Sequence, residues 1–423
     1  MKRALLASCV IPLSMAGHAA LAEEITKVAV LENYADIAQA GYADSAITVD
    51  NLRRAIAALV DQPNGINLAA ARSAWIAARV PYQQTEAFRF GNPIVDEWEG
   101  KVNAWPLDEG LIDYVADAYG GPTDDNQLAV LNVIANPRFS LSGTEIDASV
   151  ITPELLATTL HEADGVEANV ATGYHAIEFL LWGQDNNGHA PGAGDRPWTD
   201  FAAGDDCTGG NCDRRADYLM AATDLLVSDL NWMAEQWAQG GAARTHLTQT
   251  PDAGIVAILT GMGSLSYGEQ AGERMRLGLM LNDPEEEHDC FSDNTHNSHY
   301  YDGLGIQNVY LGEYVRVDGT LVSGPAVSDL VALADADADA ELKTKLSDTM
   351  QALARIKTAA ESGFAYDQML ERGNAGGEAL IMGGVNGLTD QTRSIERAVT
   401  ALGLNQIAVE GSDSLDNPSA VFQ

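Results

Sequence analysis

The residue pair with the clearest chemistry is His175 and Glu178, three positions apart in the apolar segment 173–182. If this segment is a helix, both side chains lie on the same side of it, one turn apart. Their neighbours are nearly all apolar, so the helix should be buried, and a buried carboxylate has to be paired, neutralised or bound to a cation. We therefore predict that the imidazole and the carboxylate bind one metal ion together. The alternative is a buried hydrogen bond between the two side chains without a metal.

A second group of polar side chains follows one face of a helix predicted over residues 68–90. Its members are spaced by three and four residues, which places them in one line; they are Trp75, Arg79, Tyr82, Glu86 and Arg89. Such a line is typical of the polar wall of a pocket, in which Glu86 would be a third metal ligand and Arg79 would bind an anion or orient a carboxylate. The alternative is a solvent-exposed stripe of ion pairs at helical spacing.

Further metal-binding residue types lie in an acidic loop within residues 283–302. The candidate donors are His288, Cys290, His296 and His299, and such groups suit iron and other transition metals. This loop is therefore a second candidate metal site, the alternative being an acidic loop exposed to solvent. The run Asp-Asn-Asn-Gly at 185–188 begins like a calcium-binding loop but has no acidic ligand at the expected place downstream.

The first 22 residues have the pattern of a secretory signal peptide. Two basic residues precede an apolar stretch at 4–15, and Ala-Leu-Ala at 20–22 is a typical cleavage site. We therefore predict export, the alternative being an N-terminal anchor helix. The sequence contains no later segment that is long and apolar enough to cross a bilayer.

The cysteines are consistent with an oxidising compartment. Cys207 and Cys212 enclose the flexible sequence Thr-Gly-Gly-Asn, and we expect them to form a disulfide. Cys290 is then left over, and no pair has the Cys-x-x-Cys spacing of a zinc ribbon or a redox dithiol.

The elements that must position these residues are predicted to be helices throughout. Apolar residues recur at spacings of three and four along most of the chain, and no β-rich region is visible. We predict an all-α fold with two helical bundles. The N-terminal bundle would comprise residues 23–183, a Gly-, Asp- and Asn-rich linker 184–212, and a C-terminal bundle 213–423, with a Gly-rich loop and a closing helix.

A weak internal similarity suggests that the two bundles arose by duplication. The sequence around Ala176–Gly183 resembles that around Gly305–Gly312. In the second copy Leu304 and Gln307 replace the histidine and the glutamate of the first. Only the N-terminal bundle would then carry the metal-binding pair.

The composition of the chain is strongly acidic, with 61 Asp and Glu, 24 Lys and Arg, and a net charge of -37. Nucleic acids and anionic membranes are bound by basic surfaces, so neither is an expected partner. The charge favours solubility and the attraction of cations, and adaptation to a salty habitat would explain most of it.

The motif Gly173-x-His175-x-x-Glu178 resembles the G-x-H-x-x-E motif of the imelysin family. Similarity to that family extends over residues 30–403 and includes the segments 75–86, 103–108 and 376–388. Residues 285–296 are similar to the iron-regulated branch of the family.

This resemblance implies two helical bundles with the site between them, a periplasmic or outer-membrane location, and a link to iron uptake. The expected cofactor is a divalent or ferric ion, iron or zinc, and the expected partners are a metal ion or metal-bearing small ligand and other envelope proteins of iron uptake. Gly173, Trp182 and Asp108 are expected to line the pocket with the residues named above.

The family also leaves open a peptidase. Members were first described as insulin-cleaving metallopeptidases, whereas related domains of ferrous-iron uptake proteins bind metal and are not proteases. A zinc peptidase needs more ligands than one histidine and one glutamate, and His-Glu-x-x-His is absent. We therefore favour metal binding and assign no catalytic residue; in a peptidase, Glu178 would be the candidate.

Overall fold

The computed structural model describes residues 25–124 and 126–422, so the predicted signal peptide at 1–22 lies outside the described residues. Most of the described chain is helical, which confirms the all-α fold class. Its strands are limited to two short antiparallel hairpins, which pair β1 (Arg138–Leu141) with β2 (Thr144–Asp147) and β3 (Glu313–Val315) with β4 (Leu321–Ser323).

The α-helices of the described residues follow in chain order. They are α1 (Lys27–Asp61), α2 (Gly65–Gln83), α3 (Pro93–Asn103), α4 (Glu109–Ile112), α5 (Pro153–Leu155), α6 (Gly173–Trp182), α7 (Cys212–Trp237), α8 (Ala242–Thr248), α9 (Pro251–Ser264), α10 (Leu277–Leu281), α11 (Thr295–Leu311), α12 (Val327–Ala334), α13 (Ala336–Glu361), α14 (Tyr366–Leu370), α15 (Ala375–Ala401) and α16 (Asp413–Asp416). Wider π-helical turns occur at Leu156–Leu160 and at Leu265–Arg276, which connects α9 to α10.

Polar caps and apolar spacing explain where the first helices form. The Thr26 side chain accepts a hydrogen bond from the Ala29 amide at the start of α1, and Asn64 does the same for the first amides of α2. The apolar faces of both helices are buried, with α1 packed against α2 and α7. Helix α6 packs against α2, α3 and α7, and all of its residues are buried.

The C-terminal part of the chain forms a second packed group, in which α13 lies against α15 and α11. Helix α15 also packs on the π-helical segment. Helix α7 follows the predicted linker in sequence but packs against α1 and α6, and the buried apolar residues of the two groups form one continuous core. The division of the chain at residues 184–212 and its origin by duplication remain predictions.

Two predicted helices differ from the structure near the site. The helix predicted over 68–90 ends at Gln83, just after Pro81, and is followed by a tight turn at Glu86–Phe88. Proline cannot donate a backbone hydrogen bond, which weakens the helix around it. Apolar residues predict the site helix over 166–182, whereas in the structure it begins at Gly173. Among the described residues, none of the helices combines the length and the apolar character that a bilayer span requires.

Candidate metal centre

Helix α6 places His175 and Glu178 in the interior of the protein. Their exposed fractions are 1% and 0%, and His175 Nδ1 lies 3.0 Å from Glu178 Oε2. Gly173 lets the start of α6 approach the end of α3, because it has a φ of 80° and an added Cβ would lie 2.4 Å from the Val102 carbonyl oxygen. The predicted same-side arrangement of the imidazole and the carboxylate is therefore present.

The second oxygen of Glu178 binds the loop at 285–294. Glu178 Oε1 accepts hydrogen bonds from the Ser292 amide at 3.0 Å and from the Ser292 hydroxyl at 2.6 Å. Burial, followed by the charge of Asp289, raises the pKa of Glu178 well above its ordinary value, although the Ser292 hydrogen bonds oppose this. Both oxygens of Glu178 are thus engaged by protein groups.

The same loop brings two further donors to His175. The rings of His175 and His288 are 4.8 Å apart between centroids. Potential ligand atoms of His175, His288 and Asp289 all lie within 4.8 Å of one another. We call these three residues the metal centre.

The Asp289 carboxylate is held by a network of donors. Arg79 Nη2 donates to Asp289 Oδ1 at 2.8 Å, while Asn294 Nδ2 donates to Oδ2 at 2.8 Å and the Ser298 hydroxyl donates to the same oxygen. Burial raises the pKa of Asp289, but Arg79 and these donors outweigh it and lower the pKa below its ordinary value. A carboxylate offers about four lone-pair sites, so this ionised group can still accept a cation.

Arg79 itself is fixed from several sides. Its Nη1 donates to Asn103 Oδ1 at 2.6 Å, and its guanidinium lies 5.0 Å from the ring centroid of Tyr174. The sequence predicts that Arg79 binds an anion or orients a carboxylate, and in the structure Arg79 binds the carboxylate of Asp289.

The two imidazoles of the metal centre are neutral. Burial, followed by the charge of Arg79, lowers the pKa of His175 to about 3. Burial, followed by the charge of Arg274, lowers the pKa of His288 well below its ordinary value. His175 Nε2 and both ring nitrogens of His288 are buried without a hydrogen-bond partner. Unsatisfied buried polar atoms are costly and call for an explanation.

A transition-metal ion fits this set of donors. Two neutral imidazoles and one carboxylate are the ligands of non-haem iron sites with open positions, and they also suit zinc. Glu178 would orient His175 and would not bind the metal itself. A carboxylate that accepts a hydrogen bond from Nδ1–H of a ligand histidine leaves Nε2 free to bind the metal and fixes the orientation of the ring. The donor chemistry is therefore that of an iron or zinc site.

A cavity of about 470 Å³ leads to this centre, and its wall includes His288. Charged side chains on the wall include three acidic residues, Glu99, Glu269 and Glu286, and two basic residues, Arg89 and Arg274. Burial, opposed by Arg89, raises the pKa of Glu99 to about 7. The cavity is a route by which a small cation could reach His288.

Glu86 is not placed with His175 and Glu178, contrary to the prediction of a third ligand. It lies in the turn after α2, and its Oε2 accepts a hydrogen bond from Arg274 Nη2 at 2.8 Å. Arg274 also donates to Asp302 at 3.1 Å. The prediction assumed a helix continuing through residue 90, and the end of α2 at Gln83 redirects the Glu86 side chain into this ion-pair network.

The other members of the predicted stripe are buried or line the cavity. Trp75 Nε1 donates to the Tyr174 carbonyl at 3.0 Å, and the Trp75 and Trp182 rings are 5.4 Å apart. Tyr82 is buried with its hydroxyl unpaired. Arg89 pairs with Asp96 at 3.0 Å at the cavity wall. The stripe is therefore a packed support for the centre and not an exposed row of ion pairs.

The second predicted metal site is dispersed in the structure. His288 joins the metal centre, while Cys290 and Asp108 line a separate cavity of about 450 Å³. His296 Nε2 lies 3.1 Å from the side-chain nitrogen Nδ2 of Asn297, and the ring centroids of His299 and Tyr366 are 5.2 Å apart. These side chains point to different neighbours because residues from 295 onward belong to helix α11.

The structure pairs Cys207 with Cys212 in a disulfide just before and at the start of α7, and Cys290 is a buried free thiol. Burial, followed by the charge of Glu178, raises the pKa of the Cys290 thiol well above its ordinary value. A buried thiol with a raised pKa is a poor nucleophile and a poor metal ligand.

Sequence reasoning missed the pairing of His288 and Asp289 with His175. The two segments are more than a hundred positions apart, and their contact depends on tertiary packing. The feature of the sequence that could have indicated these two ligands is the adjacent pair His288–Asp289 within the acidic loop. Ser292, which binds Glu178, gave no signal of its own.

Comparisons with known proteins identify a relative in sequence and two solved structures with a similar fold. The chain is 37% identical over 71 residues to iron-regulated protein A of Synechococcus elongatus, a match covering 16% of this chain and only 20% of that relative. A crystal structure from Parabacteroides distasonis, described as an iron-regulated protein A precursor, has a TM-score of 0.63 at 16% identity and covers 91% of this chain and 97% of that one. An imelysin-like protein from Psychrobacter arcticum has a TM-score of 0.55 at 17% identity, with 91% and 99% covered. Such identities show the fold alone.

The family assignment rests on a match along most of the chain. Residues 38–395 match the family model described as Imelysin. This range includes α6 with its motif, the loop at 285–294 and most of α15. The protein that buries His175 beside His288 is therefore a member of the imelysin family.

Proposed function

We propose that this protein is an exported component of the bacterial cell envelope that binds an iron ion at the metal centre and takes part in iron acquisition. The observation that carries the proposal is the set of unpartnered nitrogens on His175 and His288 beside the ionised Asp289 carboxylate. A bound cation would satisfy His175 Nε2, one ring nitrogen of His288 and an oxygen of Asp289 together.

The choice of iron rests on donor chemistry and on the names of relatives. Two imidazoles and one carboxylate leave coordination positions open for water or for a small ligand that carries the metal. Zinc binds the same donors and is the main competitor. The Synechococcus elongatus relative and the Parabacteroides distasonis neighbour are both named as iron-regulated proteins, which favours iron.

Metal binding is favoured over peptide cleavage by the burial of the donors. The exposed fractions of His175, His288 and Asp289 are 1%, 2% and 0%. A peptidase has to bring a scissile carbonyl and a water to the metal, with a free carboxylate as base. Both Glu178 oxygens are occupied by His175 and Ser292, so Glu178 is better suited to orient a ligand.

The test is metal analysis of the purified protein under anaerobic loading with Fe²⁺, and separately with Fe³⁺ and Zn²⁺. We expect about one tightly bound ion per chain in the wild type. His175→Ala and His288→Ala each remove one donor and should lose that ion. His246→Ala changes an exposed histidine on α8 and is the matched control.

Three outcomes would count against the proposal. No bound ion in the wild type under any loading condition would end it. Equal metal content in His288→Ala and His246→Ala would remove the metal centre from the explanation. Cleavage of a peptide substrate that needs the metal and is lost in Glu178→Ala would replace binding by the peptidase alternative.

A further inference from the structure

A second group of carboxylates lies next to the metal centre and shares no donor with it. Carboxylate oxygens of Asp185, Asp293 and Asp367 all lie within 4.8 Å of one another. They come from the segment after α6, from the loop at 285–294 and from α14. We call these three residues the acidic cluster.

A buried fourth carboxylate lies against the acidic cluster. Glu287 is 1% exposed, and neither of its oxygens has a hydrogen-bond partner. The Asp367 and Asp293 carboxyl groups lie close enough to Glu287 to interact with it electrostatically, so its carboxyl lies beside theirs. Asp367 is 2% exposed, and its Oδ2 is also unpartnered. Buried acceptors that face one another require a proton or a cation between them.

Backbone amides fix two of the four carboxylates. Asp185 Oδ1 accepts a hydrogen bond from the Asn187 amide at 2.8 Å, and Asp293 Oδ2 accepts one from the Gly192 amide at 3.0 Å. Asp293 Oδ1 is buried without a partner. Burial, together with the charge of Asp185, raises the pKa of Asp367, although its contacts with the Glu287 and Asp293 carboxyls oppose this. The cluster is therefore held in place while several of its oxygens stay free.

We propose that the acidic cluster and Glu287 form a binding site for a hard divalent cation of the Ca²⁺ class. Ca²⁺ binds oxygen at about 2.3–2.6 Å, so ligand atoms on opposite sides of the ion are about 4.6–5.2 Å apart. The oxygens of the acidic cluster lie within 4.8 Å of one another, so they can all reach one ion of this size. Mg²⁺ usually keeps several waters and binds only one or two carboxylates, so a set of three or four protein carboxylates suits Ca²⁺ better. The donors are oxygens only, which favours a hard cation over the transition metals that suit His175 and His288.

The tertiary structure supplies what the local sequence lacks. The Asp-Asn-Asn-Gly run at 185–188 has no acidic ligand at the expected place downstream. In the fold, Asp293 and Asp367 reach it from distant segments. A cation here would join three parts of the chain, and it would hold the loop that carries His288 and Asp289.

Calcium binding to full-length mature protein, first stripped of metal, tests the proposal. To keep transition metals out of the measurement, the background is the double variant His175→Ala/His288→Ala. We expect Ca²⁺ at pH 7.5 to raise the melting temperature and to give a saturable heat of binding. In that background, Asp367→Asn and Glu287→Gln should each weaken Ca²⁺ binding by about 10-fold or more, since removal of a ligand exceeds the usual effect of a supporting residue.

The matched control is Asp348→Asn, which removes an exposed carboxylate from α13 and should leave Ca²⁺ binding unchanged. Circular dichroism shows whether each variant is folded, and Asp293→Asn replaces any variant that is not. The absence of a Ca²⁺-dependent change in the folded background protein would overturn the proposal and leave shared protons as the explanation. Equal responses from Asp348→Asn and Asp367→Asn would also overturn it. Iron binding by Asp367→Asn in an otherwise wild-type chain separates this result from failure of the proposed function.

Discussion

Replacing Glu178 by glutamine separates its role as an orienting group from a role as a metal ligand. The side chains have nearly the same shape, and the retained oxygen can still accept from the Ser292 amide and hydroxyl, at 3.0 and 2.6 Å in the wild type. The new amide nitrogen then faces His175 Nδ1, where Glu178 Oε2 lay at 3.0 Å. Because an amide nitrogen donates, it favours the tautomer in which Nδ1 accepts and Nε2 carries the proton. That proton occupies the lone pair that a metal needs.

The expected loss follows from the single contact that changes. Supporting carboxylates of ligand histidines are typically worth about 10–100-fold in metal affinity, or about 1.4–2.8 kcal/mol. Glu178→Gln changes one such contact and keeps the Ser292 contacts, so we expect a loss within this range. His288→Ala removes a donor outright and should lose more. Because the two side chains have nearly the same volume and the Ser292 contacts are kept, the exchange should leave folding stability within about 1–2 kcal/mol of the wild type.

The assay is competition with a chromophoric chelator at fixed pH, which gives the dissociation constants of the wild type and the variants for Fe²⁺ or Zn²⁺. Glu378→Gln changes an exposed carboxylate on α15 and serves as the isosteric control. Urea denaturation of the same preparations checks that stability is retained.

Two results would refute this reasoning. If Glu178→Gln binds metal as tightly as Glu378→Gln, the contact with His175 does not control the ring. If it loses as much affinity as His288→Ala while remaining folded, Glu178 is itself a ligand, as the sequence alone suggested.

Two further predictions concern stability and its dependence on pH. Gly173→Ala should destabilise the protein by about 3 kcal/mol or more, because the added Cβ would lie 2.4 Å from the Val102 carbonyl oxygen at a φ of 80°. The control is Gly165→Ala, which has a φ of 75° and open space around it and should lower the unfolding free energy, measured by urea denaturation, by only about 1 kcal/mol. Equal losses in the two variants would exclude the close approach to Val102 as the cause. Glu99 has its pKa raised to about 7 by burial despite Arg89, so the folded state keeps its proton to higher pH than the unfolded state and the associated stability is lost as pH rises through 7. The unfolding free energy of Glu99→Gln, relative to that of the wild type, should therefore increase by up to about 3 kcal/mol between pH 5 and pH 8. A difference between the two proteins that does not vary with pH would contradict this.

The fold class and the central pair could be predicted because they depend on local sequence. Apolar residues at helical spacing predict helices wherever they occur, and His175 and Glu178 are one turn apart on any helix. The wholly apolar surroundings of Glu178 also predicted its burial correctly. These features need no knowledge of how distant segments pack.

The remaining donors could not be assigned from the sequence, because their roles are set by tertiary contacts. Glu86 has the spacing of a third ligand, yet the end of α2 turns it toward Arg274. His288 and His299 seemed equivalent in one acidic loop, but only His288 meets His175. Helix α11 begins at Thr295, between the two histidines. The acidic character of the region led to the prediction of a loop there, so the start of this helix was not predicted.

The donors of the metal centre come from two kinds of support. Helix α6 is buried along its whole length between other helices, whereas the segment at 285–294 is joined to α6 through Ser292 and to α2 through the ion pair of Asp289 with Arg79. An ion that reaches His288 through the cavity still has to pass into the buried space between His288, Asp289 and His175, which requires a local opening of this segment. We expect exchange to be slow even for a weakly held ion, so that residence time and equilibrium affinity are set by different parts of the molecule.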